Sequence, residues 1–298
     1  MFKNILIIGF GMIGSSIARS LLKFKNPPKI FAFDKSKQLH ARLKSSKLTK
    51  INCLSSMMDV NKNNIDLIII CTPVLQYKKI FAEINSIDHH KIIVTDVGST
   101  KSNIEKLYLK NKFTFNFVPS HPIAGIEKAG LEHGLEGLFK NRYNIICPFG
   151  KSKPTAVKKI ANFWKKLGMQ IEMMNSKDHD HVLGLTSHLP HLISYSLVQT
   201  AMKKEKSLNS KLVKFSAGGF RDFTRIAGSD PEMWRDIFLA NNTQIKQLAN
   251  LFISELTKLS KSLNNQNSKK LLLKLKNTKK VRNRIVKARQ AGQFLPNG

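Results

Sequence analysis

The chain has 298 residues, 42% of them hydrophobic and 23% charged, enough to bury the core of one large or two medium domains. That balance excludes a disordered chain, and no apolar run approaches the roughly 18 to 20 residues that a membrane-spanning helix requires. The net charge of +31 raises a nucleic-acid partner, but 41 of the 50 basic residues are lysine and only nine arginine, scattered through every segment. Base readout and bidentate phosphate contacts favour arginine, so AT-rich coding explains the excess more simply and no nucleic-acid partner is expected. The positive field would instead steer small anions. Residues 5–10 are too short an apolar stretch for a signal-peptide core and run into a glycine motif, which predicts a cytoplasmic protein. Cys53, Cys71 and Cys147 lie far apart with no C-x-x-C spacing, so neither a disulfide framework nor a metal site is expected.

Residues 5–8 form an apolar run of strand length, and 13–24 carry apolar residues at helical spacing (Ile13, Ile17, Leu21, Phe24). Strands are then predicted at 29–33, 66–71, 92–96, 115–117, 143–147 and 169–173. Helices are predicted between them at 37–44, 76–84, 101–108 and 156–166, and 117–143 reads as a loop-rich insertion. Such alternation argues an α/β Rossmann-type domain with a doubly wound, mostly parallel sheet over residues 1–175. Beyond about 176 the strands stop. Helical periodicity covers 182–202, 211–216, 231–264 and 268–290, giving an all-helical second domain over 176–298. The lysine-rich end of that domain reads as a solvated face.

Gly9-Phe10-Gly11-Met12-Ile13-Gly14 is a G-x-G-x-x-G that follows a strand, opens a helix and precedes Asp34 at the end of the next strand. In that context the pattern points to a dinucleotide. Gly9 allows the tight turn, Gly11 lets a pyrophosphate approach the backbone, and Gly14 lets helix and strand pack closely. The phosphates then rest on the helix N-terminus at Met12 and Ile13, where free N–H groups favour anions. Asp34 accepts from ribose hydroxyls and repels a 2′-phosphate, which favours NAD over NADP, although Lys35 beside it would tolerate one. Thr72 and Pro73 end another strand near the switch-point crevice, a place for further cofactor contacts.

Four segments follow in order: Asp96-Val97-Gly98-Ser99-Thr100-Lys101, His121-Pro122-Ile123-Ala124-Gly125, Thr186-Ser187-His188-Leu189-Pro190-His191, and Phe220-Arg221-Asp222-Phe223-Thr224-Arg225 running on to Asp230-Pro231-Glu232-Met233-Trp234-Arg235. Behind a dinucleotide motif, this set resembles the prephenate/arogenate (cyclohexadienyl) dehydrogenase family from residue 1 to about 255. The likeness is to the single-domain bacterial type, without a mutase or ACT domain. It implies an NAD-dependent oxidative decarboxylation of prephenate or arogenate on the way to tyrosine. By that resemblance His121 is the base on the ring C4 hydroxyl, Ser99 bridges hydroxyl, histidine and nicotinamide, and Ser187, His188, His191 and Gly218 line the substrate pocket.

The residue types suit that chemistry. Histidine is the side chain best placed to accept a proton near neutral pH, against a bland reading of His121 as a satisfied loop histidine. Arg225 offers a guanidinium fork for a substrate carboxylate, against a surface ion pair on its helix. H-x-x-H at His188 and His191 lacks a third ligand, so no metal is expected. His179 and His181 read as part of a polar stretch that caps the next helix. Gly218-Gly219 lets backbone approach the ligand or another chain. Trp234 reads as core or interface rather than catalytic. Glu127 is the candidate acid for the amine of arogenate, so both substrates are expected, although Ile126 beside it departs from the small polar residue of many relatives.

Two rivals remain. A β-hydroxyacid dehydrogenase of similar architecture would rely on a lysine in the helical domain. A basic nucleic-acid-binding protein with a dinucleotide-sensing fold would have no use for the Ser99, His121 and Arg225 set. The apolar positions of 231–264 exceed one exposed face, which predicts a homodimer through the helical domain, with the active site between domains.

Overall fold

The computed structural model describes residues 2–36, 38–46, 48–208, 212–264 and 268–287. Lys37, Lys211 and the stretch beyond 287, to which the sequence assigns helix, lie outside these. The first part of the chain runs β1 (Asn4–Ile8), α1 (Met12–Leu22), β2 (Lys29–Phe33), α2 (Leu39–Ser45), β3 (Ile51–Cys53), α3 (Asp59–Lys62), β4 (Leu67–Ile70), α4 (Tyr77–Asn85), β5 (Ile93–Asp96), α5 (Ser102–Lys110) and β6 (Asn116–Val118). The six strands form one sheet in the order β3-β2-β1-β4-β5-β6, every pair parallel.

Parallel strands covered on both faces read as unbroken apolar runs, and these do. In β1, Ile5 and Ile7 enter one buried cluster while Leu6 and Ile8 enter another. In β4 the same split separates Leu67 and Ile69 from Ile68 and Ile70. The period of two thus feeds a core on each side of the sheet. Each fully buried isoleucine or leucine contributes about 2 kcal/mol.

Three further strands, β7 (Ser120–Pro122), β8 (Tyr143–Ile146) and β9 (Gln170–Met173), do not extend that sheet. They form a second one, with β7 antiparallel to β8 and β8 parallel to β9, and α6 (Pro154–Lys166) packs against it. The expectation of one sheet therefore needs correction. Short β3 and α3 were not anticipated, and neither was β7, whose central residue is His121. A three-residue strand holding a serine, a histidine and a proline carries no apolar alternation to announce it.

The rest is helical: α7 (Ser176–Leu183), α8 (Leu189–Leu208), α9 (Gly218–Ala227), α10 (Pro231–Ala240), α11 (Asn242–Asn264) and α12 (Ser268–Lys287). Where the sequence suggests one helix over 182–202, a π turn at Gly184–His188 interrupts it. Pro190 explains the break, because it has no N–H to bond the carbonyl four residues back. The run 231–264 is likewise two helices, hinged at Asn241. Ile145, Cys147 and Leu183 form a small third cluster that seats α7 against the second sheet.

Candidate active site

The glycine turn between β1 and α1 has the conformation that a dinucleotide needs. Gly9 sits at φ +85°, and a Cβ there would lie 2.9 Å from the Cys71 carbonyl carbon and the Thr72 nitrogen. A Cβ on Gly14 would stand 2.6 Å from the Gly9 carbonyl oxygen. At Gly11, by contrast, the same position has no atom of the described residues within 4 Å beyond its own chain neighbours. The N-terminus of α1, at Met12 and Ile13, has neither a side-chain cap nor an acidic residue in its first turn, leaving its N–H groups and dipole directed at that open space. Asp34 Oδ2 accepts from Phe10 N at 2.7 Å and Oδ1 from Ser36 N at 2.9 Å, fixing the carboxylate beside the turn. Thr72 Oγ1 is buried without a hydrogen-bond partner among the described residues, and exposed Pro73 follows it. These features fit a bound dinucleotide.

The small sheet brings His121 to the same region. Its ring is 9% exposed, and Nδ1 lies 2.9 Å from Nε2 of His179. His179 Nδ1 in turn lies 2.9 Å from Asp180 Oδ1. A carboxylate only accepts, so His179 donates from Nδ1 and accepts at Nε2. His121 must then donate from Nδ1, which leaves its Nε2 with a free lone pair. Burial, followed by the charges of His179, Lys101 and His188, holds His121 well below the usual histidine range. Burial would raise the Asp180 carboxyl, but the hydrogen bonds from His179, Lys101 N and Ser102 N outweigh it and keep it ionised. The chain of three residues is thus a neutral base oriented by a buried carboxylate.

His179 and Asp180 corrects the capping interpretation. The cap of α7 is Asn175, whose side chain accepts from Asp178 N at 2.8 Å. Ser176, His179, Asp180 and Leu183 instead form a buried stripe at i, i+3, i+4 and i+7. Leu183 at the end of that stripe was the available signal. His181, on the other face, bonds Gln244 at 3.2 Å.

The remaining residues gather around this base. Ser99 follows β5 in a loop whose backbone adjoins His188. His188 is fully buried on the π turn, accepts from Asn241 Nδ2 at 3.1 Å, and is pushed down to about 4 chiefly by burial. His191 Nδ1 donates to the Ser187 carbonyl at 2.9 Å, taking up a hydrogen bond in the turn that Pro190 disturbs. Its ring stacks on Trp234 at 3.5 Å and 19°. Trp234 is buried, as a core residue should be. Arg225 pairs with Glu127, 98 positions earlier in sequence, and both charges bear on His191. The arginine therefore joins two elements and is not paired along its own helix. Met12 Cε lies 3.9 Å from where a Cβ on Gly125 would stand, linking the nucleotide turn to the loop after His121. Gly218 is the exception: it is exposed at the start of α9, and among the described residues a Cβ there would come near the Arg221 guanidinium at 4.0 Å.

A profile described as the prephenate dehydrogenase nucleotide-binding domain matches residues 17–173, and one for the prephenate dehydrogenase dimerization domain matches 175–277. The chain belongs to the prephenate dehydrogenase family. It is 35% identical to the cyclohexadienyl dehydrogenase of Zymomonas mobilis over 95% of this chain and 96% of that one. It is 33% identical to the prephenate dehydrogenase of Bacillus subtilis, over 95% of this chain and 76% of the relative. Among solved structures, the prephenate dehydrogenase of Aquifex aeolicus in complex with hydroxyphenyl propionate and NAD+ superposes with a TM-score of 0.89 at 33% identity, covering 96% of this chain and 99% of that one. As in that family, a nucleotide-binding unit precedes a helical dimerization unit. Among the described residues, no helix is long and apolar enough to cross a membrane.

Proposed function

We propose that this prephenate dehydrogenase family member oxidatively decarboxylates prephenate and arogenate with NAD, yielding 4-hydroxyphenylpyruvate and tyrosine in the cytoplasm. The observation that carries the reading is the free Nε2 of buried His121, oriented through His179 by Asp180, on a strand whose following loop reaches Met12 of the nucleotide turn. Gly9, Gly11, Gly14 and the α1 N-terminus would hold NAD, with Asp34 at its ribose and Thr72 and Pro73 lining the crevice. Bound NAD supplies the acceptor for the hydride that leaves ring C4.

His121 Nε2 takes the C4 hydroxyl proton as the hydride departs, with Ser99 holding that hydroxyl. The C1–carboxylate bond then breaks, its electron pair aromatises the ring, and His121 returns the proton to the phenolate oxygen. Atoms and charge balance with CO2 and the reduced cofactor as the other products. His188 and the Ser187–His191 turn form the wall of the pocket, and burial keeps both histidines neutral so that they add no competing acid. Arg225 grips a substrate carboxylate, and Glu127 beside it suits the ammonium of arogenate. The dimerization-domain match supports a homodimer through the helical half, and in this reading Gly218, exposed at the start of α9, lets backbone approach the ligand or the other chain.

The test is to mix the purified protein with NAD and either dienol and follow NADH. Turnover that vanishes in His121→Asn supports the reaction and the base, whereas no turnover with either substrate would sink the reading. Glu127→Gln is expected to lower the arogenate to prephenate ratio of kcat/KM several-fold, and an unchanged ratio would remove Glu127 from specificity.

A further inference from the structure

Among the described residues, the least accessible charges lie just behind this site. Lys101 and Asp96 are both completely buried, with Nζ 2.6 Å from Oδ2. Asp96 ends β5 and collects four donors from three segments. Oδ2 accepts from Tyr77 OH at 3.0 Å, from Gly98 N at 3.0 Å and from Lys101. Oδ1 accepts from Ser120 N at 2.9 Å. Gly98 and Ser120 immediately precede Ser99 and His121, so one carboxylate grips the backbone of both. Lys101 also meets the second carboxylate: its N–H donates at 2.7 Å to Asp180 Oδ1, the atom that faces His179.

Space filling alone does not call for an ammonium here, since a leucine or methionine occupies similar volume without desolvating a charge. We infer that the Lys101–Asp96 pair is a positioning device for the proposed base, tying the Ser99 loop to the His121 strand and setting the Lys101 amino group behind the two histidines. The inference rests on His121 being that base. The titratable groups that act on His121 are His179 on α7, Lys101 just before α5 and His188 on the π turn, and behind His179 lie the carboxylates of Asp180 and Asp96. Of these, Lys101 is the cation that does not depend on histidine titration, and its field opposes protonation of His121 and His179 alike. Losing it raises the His121 pKa, so the basic form disappears at a higher pH.

The experiment compares the parent with Lys101→Met and with the double variant Lys101→Met/Asp96→Asn, which leaves no unpaired buried carboxylate. Circular dichroism first establishes that each is folded. The readouts are the pH profile of kcat/KM and an NMR titration of the His121 ring. In Lys101→Met the acid limb of the profile and the ring titration should both move up by about one pH unit, and by less in the double variant, which also loses the opposing Asp96 carboxylate. In addition kcat should fall at least about tenfold while the KM for NAD stays put. A limb and a titration that remain at the parent's pH would overturn the inference. If the parent turns over neither dienol, the functional reading fails instead, and the ring titration still decides the role of the pair.

Discussion

A carboxylate that can only accept hydrogen bonds orients two imidazoles in series. Asp180 fixes the tautomer of His179, which fixes that of His121, and a lone pair is left free at an atom two rings away. Replacing the middle ring should therefore damage turnover without touching cofactor affinity. His179→Gln is expected to lower kcat by about 10²-fold with KM for NAD unchanged, as steady-state kinetics will report. Buried neutral histidines also tie stability to pH. His188 is pushed down to about 4 in the folded chain, against an ordinary 6.5 when unfolded. Above 6.5 both states are neutral and nothing is lost. As pH falls from 6.5 towards 4 the unfolded chain binds the proton first, and stability drops by up to about 3 kcal/mol. Urea midpoints should fall between about pH 7 and about pH 4.5, and His188→Gln should flatten that slope. At this scale Ser99, His121, His191 and Arg225 were legible because each belongs to a motif with its neighbours. His179, Asp180 and Lys101 were not: polar residues at a helix start read as caps or solvent-facing charges until the fold buries them.

Elements place these side chains by geometry that a pattern of hydrophobicity only partly encodes. The six parallel strands were visible where β-branched runs reach four or five residues, and β3 was too short to stand out. β7 is held by pairing with β8 rather than by its own sequence, so the strand that carries His121 became apparent only with its partner in place. The π turn had a signal in Pro190, whose effect is local backbone chemistry. In the glycine turn the three glycines serve distinguishable needs, and that can be measured. Gly9→Ala forces φ +85° on an L-residue and collides with the β4 end, so it should destabilise the fold by about 1 kcal/mol or more and also weaken NAD binding. Gly11→Ala meets no atom among the described residues beyond its chain neighbours and should leave stability within about 0.5 kcal/mol of the parent. Its NAD affinity, followed by fluorescence of bound NADH, should nevertheless fall at least about tenfold, because the methyl occupies the space of the phosphates.

At the scale of the whole molecule the helical half leaves apolar side chains uncovered. Ile253, Leu256 and Leu263 on α11 are each more than half exposed, and they recur at i, i+3 and i+10 along one side of the helix. Contiguous apolar surface of this kind marks an interface. The chain should run as a dimer in light scattering, and Ile253→Lys/Leu256→Lys should shift it towards the monomer. An unchanged dimer would place the interface elsewhere on the helical half. The excess of apolar positions over 231–264 was readable from the sequence. The break at Asn241, which turns α10 so that Trp234 meets His191, was not, because an asparagine within an amphipathic run gives no direction of bend.

Asp180 has one more consequence, because it serves two structures at once. Its Oδ1 and Oδ2 accept the first free N–H groups of α5 from Lys101 and Ser102, while Oδ1 also receives His179. The start of a helix in the nucleotide-binding half is therefore completed by the residue that aims the base from the helical half. A chain whose halves have not yet joined lacks both, so the proposed base is not oriented until they meet. Recovery of turnover during refolding then serves as a clock for the joining of the two halves, and it should lag behind the return of helical signal rather than grow in proportion to it.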